Sequence, residues 1–144
     1  MGRFAEDTTV PAAKSRAELE ALLERHGAHQ IAIAVDREQK RAVVVFGIDG
    51  RRVRLQINTD PGNKRGRAYR PDQFERSAWR RLLLVVKAKL EIVKDGESTV
   101  EREFLADVML PDGSTVHETL GPQLDQSYRT GAMPPMLPGI GETS

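Results

Sequence analysis

Residues 42–58 read Ala-Val-Val-Val-Phe-Gly-Ile-Asp-Gly-Arg-Arg-Val-Arg-Leu-Gln-Ile-Asn, and this stretch decides the fold. The run Ala42 to Ile48 is β-branched and aromatic, Asp49-Gly50 is a strong hairpin signal, and Arg51 to Asn58 alternates apolar with polar. A two-residue loop sets Ile48 opposite Arg51 and pairs Phe46 with Val53, Val44 with Leu55 and Ala42 with Ile57. That face is the core. The opposite face carries Val43 and Val45 beside Arg52, Arg54 and Gln56, so two arginines project from the outer surface of the sheet. Upstream, Ile31, Ile33 and Val35 alternate with Ala32 and Ala34, and the charged turn 36–41 joins them to the hairpin as the first strand of a three-stranded antiparallel β-meander.

Helical signals flank this sheet. Residues 1–13 contain Pro11 and no sustained period, and read as an N-terminal arm. Ser15 with Glu18 has capping-box spacing, Leu19, Leu22, Leu23 and His26 repeat at three and four, and Gly27 supplies a left-handed stop, which predicts a helix over 16–26. After the sheet, residues 59–70 read as a mobile basic loop. A long amphipathic helix then runs from about Pro71 to Val93 and ends near Asp95-Gly96. Its apolar arc holds Trp79, Leu83, Val86, Leu90 and Val93, extended by Ala78, Leu82 and Val85. With 100° per residue, Arg80 and Lys87 fall within about 40° of Arg76, giving a short basic stripe.

Two further C-terminal helices are expected. Ser98 with Glu101 and Thr115 with Glu118 repeat the box spacing, followed by Val100, Phe104, Leu105 and Val108 in one case and Val116, Leu120, Leu124 and Tyr128 in the other. Gly121-Pro122 should bend or divide the last helix, and Gly131 ends it. Residues 132–144 form a tail whose Met133, Met136 and Leu137 are placed to dock on the core. The whole is a single α+β domain over 14–131 between an arm and a tail.

The chain has 144 residues, 39% hydrophobic and 30% charged, enough for one core and too few for two. Cysteine is absent, which excludes disulfides, thiol nucleophiles and thiolate metal sites. No apolar run approaches the ~20 residues of a membrane helix, and the first residues lack a signal peptide's apolar stretch. A cytoplasmic protein with no membrane partner is expected. The formal charge of +1 hides a segregation: residues 51–90 hold 12 basic and 3 acidic groups, whereas residues 91–144 hold 3 basic and 10 acidic ones. Either the middle third is a polyanion-binding face or the last third folds back and neutralises it.

Catalytic chemistry finds little purchase. His26 and His29 are separated by the stop at Gly27, and His117 lies far along the chain, so no ligand set forms. Glu38-x-Lys40 has metal-nuclease spacing but lies in a polar turn. Ser15, Ser98 and Thr115 read as helix caps with their oxygens already used. Gly66 is followed by Arg67-Ala68, where a phosphate-cradling loop needs Lys and Ser or Thr. The chain therefore reads as non-enzymatic, with no cofactor and no metal.

Binding remains. Arg52 and Arg54 on the sheet, Lys64, Arg65, Arg67 and Arg70 on the loop, and Arg76, Arg80 and Lys87 on the helix together read as a phosphate-tracking surface, with Tyr69 placed to stack on a base. DNA is the favoured ligand. The alternative is a protein-protein interaction module, in which the acidic helices near 98–108 and 116–130 and the Met-Pro tail engage a host factor.

Several segments taken together resemble a family of small uncharacterised proteins encoded by bacteriophages and prophages: Phe4-Ala5-Glu6-Asp7-Thr8-Thr9-Val10, Lys14-Ser15-Arg16-Ala17-Glu18-Leu19-Glu20, His26-Gly27-Ala28, Lys87-Ala88-Lys89-Leu90-Glu91, Glu103-Phe104-Leu105-Ala106 and Leu110-Pro111-Asp112-Gly113-Ser114-Thr115-Val116. The resemblance spans the arm to Leu137 and implies a phage origin and action inside a bacterial cell. It assigns no activity and no functional residue. The DNA reading has two expected outcomes. If about six phosphates are neutralised, affinity for duplex DNA falls with a log-log salt slope near ~-5. Arg52→Ala with Arg54→Ala weakens DNA binding without lowering the melting temperature much. Both require the middle third to be uncovered, and carboxylates of the final third clamped onto its guanidinium groups would end the proposal.

Overall fold

Asp49 and Gly50 both adopt positive φ, 52° and 73°, which is the backbone of the tight hairpin turn that matches the right-handed twist of its strands. The structure is a computed structural model and describes residues 11–60, 62 and 70–136. Its elements in order are α1 (Ala12–Arg25), β1 (His29–Asp36), β2 (Arg41–Ile48), β3 (Arg51–Asn58), α2 (Pro71–Lys94), α3 (Val100–Glu103), a 3-10 turn (Leu105–Asp107) and α4 (Val116–Thr130). The sheet is an antiparallel meander in the order β1-β2-β3. Its hairpin register pairs Ile48 with Arg51, Phe46 with Val53, Val44 with Leu55 and Ala42 with Ile57, as the turn dictates.

Alternation along these strands then separates two faces. Ala42, Val44, Phe46, Ile48, Val53 and Leu55 are buried in one cluster with Leu19, Leu22 and Leu23 of α1 and Trp79, Leu83, Val86 and Leu90 of α2. Each large apolar side chain so buried contributes about 1.5–3 kcal/mol. The outer face carries Ala32, Ala34, Val43, Val45, Arg52, Arg54 and Gln56, none of them fully buried. α1 and α2 therefore cover one side of the sheet, and Arg52 and Arg54 of β3 point away from these two helices.

α1 begins one turn earlier than its capping-box spacing predicts. Pro11 stands at the N-cap with φ -62°, and its carbonyl accepts from the Lys14 and Ser15 amides. The pre-set φ of proline and the high helix propensity of Ala12-Ala13 extend the helix upstream. Ser15 is consequently an interior residue on the buried face and caps nothing. The other end behaves as expected: Gly27 has φ 89°, its amide donates to Glu24 O, and the Ala28 amide donates to Leu23 O. α2 runs over its predicted span and stops at Gly96, but Val85 is exposed, so the apolar arc of the helix is wider than the surface it buries.

The segment after α2 departs most from its periodicity. α3 is a single turn whose N-cap is Thr99, which accepts from the Arg102 amide, while Ser98 makes no such bond. The chain then passes through the 3-10 turn into an extended stub where Val108 pairs with Val53 and Met109 with Thr115. Two demands override the helical pattern here. Phe104 packs edge-on against Phe46 with ring centroids 5.9 Å apart, and the free edge of β3 takes a partner, the Met109 amide donating to Arg52 O. Lys89 completes the corner by donating to Glu103 O at 2.7 Å with its ammonium 5.2 Å from the Phe104 ring.

α4 has the predicted reciprocal capping box. The Thr115 amide donates to Glu118 Oε1 and the Glu118 amide donates to Thr115 Oγ1. Gly131 ends the helix with φ 77°. Pro122 does not divide it: the helix is one run of 15 residues, with the capped first turn on one side of the proline and the glycine stop on the other. Met133 is exposed and does not dock, Met136 is half-buried, and Leu137 lies outside the described residues. Phe46 sits where sheet, α2 and the α3 corner meet. Phe46→Ala should therefore cost about 3–5 kcal/mol in urea denaturation, and a loss below about 1 kcal/mol would contradict its central position.

Candidate nucleic-acid interface

The described residues among the ten singled out in the middle third do not come together as one surface. Lys64, Arg65, Arg67 and Tyr69 lie outside the described residues. Arg52 and Arg54 occupy the outer face of β3, whereas Arg76, Arg80 and Lys87 belong to α2, which packs on the inner face. Arg70 stands at the N-cap of α2. A strand of nucleic acid following the sheet arginines would have to cross the edge of the molecule to reach the helix.

Most of the charge is also engaged. Arg54 donates through Nη2 to Glu118 Oε1 and through Nη1 to Gly113 O at 3.0 Å. Its neighbour Arg51 donates through Nε and Nη2 to Glu101 Oε2 at 3.2 and 3.1 Å. Both carboxylates belong to the acidic final third, so the fold-back expected as one of two outcomes takes place at β3. On α2 the acids are local or come from α1: Arg76 donates to Asp72 at 3.4 Å, Arg70 lies 3.9 Å from the same carboxyl, and Arg80 donates to Glu18 at 3.3 Å. Arg52 differs. It donates to the uncharged Gln30 Oε1 at 2.8 Å and keeps its positive charge.

Arg54 is thereby structural. Removing it leaves Glu118 without its cation at the first turn of α4, so Arg52→Ala with Arg54→Ala cannot be a pure surface change of the kind the sequence implied. The Glu118 carboxyl is held below the usual carboxylate range, first by the Thr115 amide and then by the Arg54 guanidinium. Asp107 behaves oppositely. Partial burial raises its carboxyl, against the lowering influence of Lys89 and His117.

Sequence reading missed Gln30, Glu18, Glu101 and the second role of Glu118. The capping box was visible in the spacing of Thr115 and Glu118, but nothing local marks a partner 64 positions away. It also missed Arg25 of α1, which lines a groove with Arg80 and Lys87. Glu38 and Lys40 lie in the exposed turn after β1, where Asp36 accepts from the Glu38 and Gln39 amides, and no cluster of three metal-ligating side chains occurs among the described residues. None of the described helices is long and apolar enough to cross a membrane.

No protein-family model matches the chain, and no curated protein and no solved structure is similar to it.

The two shifted carboxyls make opposite predictions. Glu118 has a lowered value in the folded state, so its contribution is present above its unfolded value and is lost as pH falls through the folded one, below about pH 4. Glu118→Gln should reduce stability at pH 7, with the deficit closing at pH 3. Asp107 has a raised value, so the fold favours its protonated form and loses that preference as pH rises through the raised value. Asp107→Asn should stabilise the protein at pH 7 and do little at pH 3. Chemical denaturation at the two pH values checks both signs.

Proposed function

We propose that this chain is a protein-interaction module whose contact element is α4. The observation that carries the reading is the mismatch between how well α4 is built and how little it buries. It is 15 residues long, boxed at one end and glycine-stopped at the other, yet it contains no buried residue. Leu124 is 49% exposed, Tyr128 89% and Met133 83%, and Leu105 on the neighbouring 3-10 turn is 50% exposed. Leu120, Leu124 and Tyr128 stand at i, i+4 and i+8, the spacing with which a helix lies in an apolar groove. Exposed apolar groups concentrated in one region mark interaction surfaces more often than scattered ones do.

The partner is a protein with such a groove and a basic rim, since residues 91–144 carry ten acids against three bases. The resemblance to phage-encoded proteins makes a bacterial host factor the natural candidate. Nucleic-acid binding is less well supported, because Arg51 and Arg54 are neutralised and, of the singled-out cations within the described residues, the two without a carboxylate partner, Arg52 and Lys87, belong to different layers.

The test is affinity capture from nuclease-treated bacterial lysate with the full chain, alongside Leu124→Glu with Tyr128→Glu. Because both side chains are exposed, the double variant should keep its circular dichroism spectrum and melting temperature while losing the captured protein. Capture that persists in the variant would refute the α4 surface. Binding abolished by nuclease alone would return the function to the basic third.

A further inference from the structure

Most arginines among the described residues are paired with a carboxylate, which makes the unpaired cations informative. Arg16, Arg37, Arg51, Arg54, Arg70, Arg76, Arg80 and Arg129 each have a carboxylate within 4.0 Å. Arg41, Arg52, Arg81 and Arg102 have none among the described residues, nor do Arg25, Lys87 and Lys94, and these last three line two adjoining clefts. The larger, of about 790 Å³, opens where the C-terminal ends of α1 and α2, the β2–β3 hairpin tip and the start of α3 converge. Arg25, His26 and Lys94 form its polar wall, Ile48, Leu90, Val93 and Val100 its apolar lining, and Asp49 is its one carboxylate. The smaller, of about 340 Å³, lies between α1 and α2, shares Arg25, and adds Arg80 and Lys87.

We infer that the larger cleft is a binding site for a small amphipathic phosphate monoester, with Arg25 and Lys94 holding the phosphate and the apolar lining holding its hydrocarbon or aromatic body. The site is independent of α4. Its volume lies within the range of small-molecule pockets, and its combination of an apolar lining with a few convergent cations is the chemistry such ligands require. A planar guanidinium receives two phosphate oxygens at once and an ammonium adds a second charge-assisted bond. Helix-end electrostatics explain one basic residue in the last turn of each helix. They do not explain why Arg25 and Lys94 line the same cleft, or why Lys87, a full two turns before the end of α2, lies in the groove that continues from it.

The lining is built from the ends of the core. Ile48 is the last residue of β2 on the inner face, Leu90 belongs to the apolar stripe of α2, and Val100 opens α3. Their side chains are already fixed by packing, so the apolar part of the site is preformed, while the exposed Arg25 and Lys94 become ordered when the ligand enters. Inorganic phosphate alone lacks the apolar contact and an aliphatic alcohol lacks the charge, so each should bind far more weakly than a molecule that has both.

The experiment uses the full chain and two probes, 8-anilinonaphthalene-1-sulfonate as the fluorescent amphipathic anion and octyl phosphate as the monoester. Saturable fluorescence enhancement, displaced by octyl phosphate but not by octanol or inorganic phosphate at equal concentration, is expected. Arg25→Ala with Lys94→Ala should weaken both ligands by about tenfold or more, whereas Arg25→Lys with Lys94→Arg retains most of the binding. Leu124→Glu with Tyr128→Glu should leave it unchanged, which separates this site from the α4 surface. Chemical-shift mapping of octyl phosphate on the unsubstituted chain should perturb residues 25–27, 48–50, 90–94 and 100, a readout that needs no variant to fold. Equal affinity in the Arg25→Ala, Lys94→Ala variant, displacement by octanol, or shifts confined to α4 would overturn the proposal. Co-sedimentation with phosphatidic acid vesicles without any response to the free monoester would overturn it as well, by placing the phosphate on a membrane surface.

Discussion

The two-residue turn at Asp49-Gly50 constrains the rest of the molecule. With both residues at positive φ, the register of β2 against β3 is fixed, and a slip of β3 by one position would carry Val53 and Leu55 to the outer face and Arg52 and Arg54 into the core. Burying two guanidinium groups in place of two apolar side chains is prohibitive. The turn and the hydrophobic pattern therefore enforce one another, and every later element packs on a face already chosen. Trp79, Leu83, Val86 and Leu90 of α2 meet that face, and α1 closes it with Leu19, Leu22 and Leu23.

A second constraint fastens the acidic third to the sheet. Glu118 accepts from the Thr115 amide, which caps α4, and from the Arg54 guanidinium on the outer face of β3. One carboxylate thus starts a helix and anchors it. Arg51 and Glu101 make a parallel tie at the start of β3, and the main-chain bond from the Met109 amide to Arg52 O lies between them. The free edge of β3, otherwise open to pairing with another chain, is blunted by this stub. α4 leaves the sheet edge with its apolar stripe largely uncovered, and the interaction reading rests on that exposure.

Charge segregation along the chain turns out to be a poor guide to charge on the surface. Twelve bases in residues 51–90 look like a continuous basic face when read in order. Among the described residues, folding divides them between the sheet and the helix layer, pairs Arg51 and Arg54 with distant acids, and pairs Arg76 and Arg80 with Asp72 and Glu18. Three cations without a carboxylate partner, Arg25, Lys87 and Lys94, come from α1 and α2, two segments some 60 residues apart, and no linear count would have grouped them.

Where a local rule suffices, the sequence alone determined the outcome. The hairpin register follows from turn stereochemistry, the span of α2 from its apolar period and its Pro and Gly boundaries, and the box at Thr115 from a three-residue spacing. Where two elements compete for the same residue, only the tertiary structure decided. Ser15 and Ser98 have the same box spacing as Thr115 but do not cap, because Pro11 starts one helix earlier and Thr99 holds the cap of the other. The helical period from Val100 to Val108 gave way because the ring of Phe46 and the unpaired edge of β3 required Phe104 and Val108 in positions a continuous helix cannot supply. The same holds for the candidate sites, since ion pairing and cleft formation depend on which surfaces meet in space, and residue order encodes that only through the complete fold.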